Sequence, residues 1–155
     1  HTSGLRGLYL YYCFKLGVFQ KKKDREASAL PFLYREDIRK MEQISQEARF
    51  LCHHQISTME ELESHKAGNE QQIKKLCTER KKLWNRTQRT PDEKEVTKIK
   101  ADIAGLSAQI KTLRKEVKYC EGIAARSIPM KEKIKAVKLE EKNNAKEKSK
   151  NEHKR

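Results

Sequence analysis

Apolar residues recur along most of this chain at alternating steps of four and three, the repeat of one helix face. The pattern is cleanest over Ile99, Ile103, Leu106, Ile110, Leu113, Val117, Cys120 and Ala124. The preceding stretch reads the same way through Met59, Leu62, Lys66, Asn69, Ile73, Leu76, Arg80 and Leu83. Between the two runs lies Thr90-Pro91-Asp92-Glu93, which combines a threonine cap, a proline at the first helical position and acids in the first turn. If the chain reverses there, the seams face one another position by position: Leu83 meets Ile99, Leu76 meets Leu106, Ile73 meets Ile110, and Leu62 meets Cys120. Lys66 and Asn69 then oppose Val117 and Leu113 and make the middle polar, which costs stability and fixes register. Ser57 and Thr58, each with a glutamate three positions later, supply the capping signal at the other end. The spacing predicts an antiparallel αα-hairpin over 57–127 with its turn near 87–91.

Two shorter helices precede the hairpin. Over 1–20, Thr2 or Ser3 can cap a helix that ends at Gly17, with Leu5, Leu8, Tyr12 and Leu16 on one face and Tyr11, Phe14 and Val18 on another. A helix apolar on two sides needs neighbours on both. A basic connector follows over 21–33, carrying Lys21, Lys22, Lys23 and Arg25 and ending near Pro31. Over 34–56 the stripe Ile38, Met41, Ile44, Ala48, Leu51 predicts one amphipathic helix of roughly twenty residues. After Pro129 the apolar pattern fades. Met130, Ile134 and Val137 can extend a helix for two or three turns, and the remainder of 128–155 reads as a basic, partly disordered tail. The expected architecture is thus all-α: two shorter helices, a long antiparallel hairpin and a basic tail.

Composition suits this reading. Of 155 residues only 35% are hydrophobic and 37% are charged, a balance that narrow coiled-coil seams satisfy and a large globular core does not. The absent Met at position 1 gives the impression of a piece of something longer. No run is apolar enough to predict a membrane span. The four cysteines (Cys13, Cys52, Cys77 and Cys120) lie far apart with no CxxC pair, which suggests a reducing, cytoplasmic setting. Cys52-His53-His54 offers metal-ligand types, but neighbours on a helix diverge by about 100° and no second cluster accompanies them, so no metal is expected. No catalytic constellation or phosphate-cradling glycine loop is evident, and the expectation is a chain that does no covalent chemistry and holds no cofactor.

The charge points to a partner. A net charge of +14 calls for dense negative charge, nucleic acid first and an anionic membrane surface second. The excess concentrates at the hairpin turn, where Lys74, Lys75, Arg80, Lys81, Lys82, Arg86, Arg89, Lys94, Lys98 and Lys100 face only Glu79, Asp92, Glu93 and Glu95. Trp84 lies inside this patch, placed either to stack on an unpaired base or to cap the hairpin core. These residues, with Lys21, Lys22, Lys23 and Arg25, are the candidate contacts for a DNA backbone. The competing reading is a coiled-coil interaction or dimerisation module without DNA contact.

Beyond these patterns, the stretches HTSGLRGLYLYYCFKLGV, LPFLYREDIRKMEQISQEARFLCHHQISTMEEL, KKLCTERKKLWNRTQR and LRKEVKYCEGIAARSIPMKEKI, in that order, resemble the C-terminal region of relaxase/mobilisation nucleases of bacterial conjugative and mobilisable transposons. The resemblance implies a bacterial DNA-processing protein whose nicking domain, with a tyrosine nucleophile and a histidine-held metal, would lie upstream. That family motif falls on none of Tyr9, Tyr11, Tyr12 or Tyr34, nor on His53 and His54. It also implies that the first helix packs on the upstream domain, and that this region acts on DNA or on other transfer proteins.

Overall fold

The computed structural model describes residues 4–19 and 35–152. Among these residues lie five helices: α1 (Gly4–Lys15), α2 (Arg35–Arg39), α3 (Met41–His53), α4 (Met59–Thr87) and α5 (Glu93–Glu152). Among the described residues there is no strand. The chain divides into two compact units, one made of 1–58 with 123–155 and the other of 59–122.

In the 59–122 unit, α4 and the first half of α5 run in opposite directions. Arg86 meets Glu95 beside the turn, Arg80 meets Ser107 further along, and Lys66 meets Glu121 at the far end. All the seam positions from Met59 to Leu83 and from Ile99 to Cys120 are buried or half-buried, while most residues between them are exposed. The polar middle is resolved by carboxylates flanking the seam. Buried Asn69 donates from Nδ2 to Glu116 Oε2 at 2.8 Å, and His65 Nε2 lies 3.2 Å from the same oxygen. Lys66 Nζ stands 3.1 Å from Glu121 Oε1. Burial pushes the Cys120 thiol up to about 11, with the Glu116 charge adding to it, so this seam cysteine stays a neutral thiol.

Two glycines interrupt the hairpin's exposed faces without a steric reason. A Cβ at Gly68 or Gly105 would meet nothing within 4 Å. Since glycine in a helix interior loses more chain entropy than alanine, Gly68→Ala and Gly105→Ala should each raise stability by about 0.5–1 kcal/mol in urea denaturation.

The other unit packs α1, α2 and α3 with the C-terminal half of α5. Leu5, Tyr9, Tyr12, Cys13 and Leu16 of the first segment are buried, as are Ile44, Ala48, Phe50 and Leu51 of α3. Helix α1 ends in a Schellman turn: Gly17 at φ +69° lets Val18 N–H reach Cys13 O at 3.0 Å and its own N–H reach Phe14 O at 3.0 Å. Helix α3 closes in the same manner, with Gln55 at φ +55° and Ile56 N–H on Leu51 O at 3.0 Å. Two polar sets cross this core. Tyr9 Oη donates to Glu47 Oε2 at 3.1 Å, and Arg126 Nη2 lies 3.2 Å from Glu47 Oε1. Tyr12 donates to Asp37, whose carboxylate also pairs with Lys133. Each set joins a tyrosine of α1, an acid of α2 or α3, and a base of α5.

Several expectations are corrected here. The single helix over 34–56 is broken: Lys40 turns between α2 and α3, its N–H bonding to Asp37 O at 3.0 Å. After Pro129 the expected helical extension through Met130, Ile134 and Val137 is present, and it runs further than two or three turns. Helix α5 continues to Glu152, and Met130, Ile134 and Val137 are buried. Proline inside a helix removes one N–H and costs about 3 kcal/mol. Here Pro129 is exposed, so water can reach the orphaned Ala125 carbonyl, and the apolar positions on either side of it supply the offsetting burial. After Cys120 the seam position Ala124 is half-buried, and Ile123 beside it is fully buried, so the buried stripe widens there. The connector with Lys21, Lys22, Lys23 and Arg25 lies outside the described residues.

Candidate nucleic-acid interface

The turn joining α4 to α5 is built by short polar side chains. Thr87 Oγ1 donates to Leu83 O at 3.0 Å, and Thr90 Oγ1 donates to Arg86 O at 3.0 Å, tying both hydroxyls to the last turns of α4. Arg89 N–H closes on Arg86 O at 2.9 Å. The cap of α5 is Asp92 and not Thr90: its Oδ1 accepts from Lys94 N–H at 3.0 Å, and its carbonyl accepts from Val96 N–H at 3.0 Å. A carboxylate at that place also opposes the positive end of the helix dipole, an advantage a threonine hydroxyl lacks.

Two of the four local carboxylates are thereby occupied. Asp92 is the cap, and Glu95 Oε1 lies 2.5 Å from Arg86 Nη2. Lys74, Lys75, Lys81, Lys82, Arg86, Arg89, Lys94, Lys98 and Lys100 are all exposed. Arg80 differs. It is half-buried and donates from Nη1 to Ser107 Oγ at 3.3 Å, while Ser107 in turn donates to Ile103 O at 2.8 Å. Its guanidinium is therefore oriented by the seam instead of ranging through solvent.

Trp84 is 56% exposed, so it does not cap the hairpin core. Leu83 and Ile99 hold the seam beside it, half-buried and buried respectively. The indole borders a shallow groove between α4 and α5, and a second groove, with Gly105 and Leu106 in its lining, lies elsewhere along the hairpin.

Two tyrosines of the other unit are sequestered in its core. Tyr9 and Tyr12 are fully buried and donate to carboxylates. Burial, reinforced by the Glu47 charge, pushes the Tyr9 phenol well above its ordinary range, the reverse of activation. Tyr11 instead lies beneath two ammonium groups, Lys138 Nζ at 5.1 Å and Lys15 Nζ at 5.8 Å from its ring centre. Tyr34 lies outside the described residues.

Among the described residues no helix is long and apolar enough to cross a membrane. Comparison with family models, curated protein sequences and solved structures gives no match.

Proposed function

We propose that the hairpin tip binds the phosphate backbone of DNA, as the non-catalytic part of a DNA-processing protein of the relaxase kind that the sequence resembles. The observation that carries this reading is a single one. Nine lysines and arginines stand exposed on the turn and the helical stretches flanking it, while two of the four neighbouring carboxylates are committed to a cap and an ion pair. A fold needs no such surplus, and like charges held this close repel unless a polyanion compensates them. Chemistry on the strand falls to other parts of a longer protein, consistent with Tyr9 and Tyr12 being enclosed in a core where they donate to carboxylates.

The test is a salt titration of affinity for a labelled oligonucleotide, comparing the wild type with a Lys81→Ala, Lys82→Ala, Arg86→Ala, Arg89→Ala variant. Arg80 is left in place because it holds the seam. Each lost phosphate contact should lower the slope of log affinity against log salt by about one, so the variant's slope falls by about three to four and its affinity on the order of a hundredfold. Failure of the wild type to bind at low ionic strength would remove the proposal and leave the coiled-coil interaction module in its place.

A further inference from the structure

The groove beside Trp84 has a composition that backbone binding does not require. Cys77, Arg80, Lys81 and Trp84 follow one stripe of α4, and Ile103 and Ser107 of α5 form the opposite wall. Its volume of about 490 Å³ falls within the roughly 300–1,000 Å³ of small-ligand clefts. An open indole, the apolar side chains of Cys77 and Ile103 and two cations thus line it together. Arg80 is already oriented by Ser107, so its fork need not be ordered on binding.

We infer that this groove stacks an unpaired nucleobase on Trp84, with the flanking phosphates held by Arg80 and Lys81. An indole face offers a base attraction that is indifferent to sequence, but only when the base has left its own stack. In a duplex both faces of each base are covered. The tip therefore prefers single strands to duplex, a selectivity that its exposed lysines alone cannot provide. The inference rests on the proposed reading of the tip as a backbone-binding surface and adds to it which form of nucleic acid is favoured.

Trp84 is the only tryptophan of the chain, so its emission reports on this groove alone. The full chain is titrated with oligo-dT, oligo-U and a duplex of equal length. Oligo-dT should quench the emission and bind more tightly than the duplex. Trp84→Ala should weaken oligo-dT binding by about five- to a hundredfold while leaving duplex binding unchanged. Equal quenching by oligo-U would also support a site that reads the base face. Alkylation gives a second readout that needs no substitution: oligo-dT should slow modification of Cys77, which lines the groove, but not of Cys52, which is exposed outside the hairpin. Binding to single strand and duplex with equal affinity, undisturbed emission and unprotected Cys77 would overturn the stacking site and leave the backbone reading intact. Absence of binding to all three probes would overturn both.

Discussion

Arg126→Leu is expected to destabilise the fold by about 3–5 kcal/mol near neutral pH, because it strands a carboxylate that has no access to water. Glu47 is 0% exposed, and the guanidinium of Arg126 is its only cation at ion-pair distance among the described residues. Tyr9 and Gln43 donate to it, Gln43 Nε2 at 3.3 Å from Oε1, but neither carries charge. Burial raises the folded-state pKa of Glu47, and Arg126 opposes that rise. A carboxyl whose pKa is higher folded than unfolded favours the native state below the unfolded value of about 4.3 and loses that advantage as pH rises through the folded value. Removing Arg126 moves the folded value higher still. The penalty should therefore be smallest below the unfolded value, where protonation of Glu47 removes the charge that Arg126 compensates, and grow towards pH 8. Urea denaturation of both proteins across this range measures it. Adding Glu47→Gln to Arg126→Leu should recover most of the loss, since a neutral amide can keep the bond from Tyr9 without a buried charge. A penalty independent of pH would mean that packing of the arginine stem, and not charge pairing, is what the substitution removes.

Neither Glu47 nor Arg126 is conspicuous in the sequence, and the reason is physical. Periodicity was legible wherever the repeating residue is apolar: the seams of 59–83 and 99–120 are sheltered at the positions their spacing indicates, as is the stripe Ile44, Ala48 and Leu51. A charged residue on a helix is ordinarily a solvated one, so a charge at a core position looks like an interruption. Yet Glu47 lies three after Ile44 and four before Leu51, and Arg126 lies three after Ile123 and four before Met130. Lys133 stands three after Met130 and four before Val137. Charges of opposite sign that keep the apolar step on two separate helices were the available signal. The helix beyond Pro129 was legible through Met130, Ile134 and Val137, where burial outweighs a local breaker, but its length past Lys142 was not, because almost nothing apolar marks it there. The Asp92 cap was missed for a different reason. Thr90, Asp92 and Glu93 crowd one turn, and the choice among caps depends on where the helical dihedrals begin, which the residue types leave open. Of the candidate interface, the cluster of cations and the seam position of Arg80 followed from sequence; the bond from Arg80 to Ser107 and the groove beside Trp84 depend on which flank of α4 faces α5.

Gly4→Ala should be nearly as damaging, though the residue stands at the edge of the described chain and contributes no side chain. Gly4 adopts φ +74°, a region where an L side chain is costly by about 1–2 kcal/mol. Its surroundings add to this. A Cβ there would lie 2.3 Å from the carbonyl oxygen of Ser57, an impossible approach to backbone that no rotamer change can relieve. The closeness has a purpose, since Leu5 N–H donates to that same oxygen at 2.6 Å. An orphan donor in the first turn of α1 is thus satisfied by the chain just after α3. Inserting a methyl group forces the two segments apart, breaks this bond and lifts buried Leu5 from the core. A combined loss of about 3 kcal/mol is expected, read as a lower urea midpoint with earlier amide exchange in α1. Gly68→Ala supplies the control, because it makes the same chemical change in open space and should move stability in the opposite direction. If both substitutions shifted the midpoint alike, glycine entropy and not the contact with Ser57 would govern the start of α1. With opposite shifts, the packing of this apolar helix depends on a backbone contact that only glycine permits.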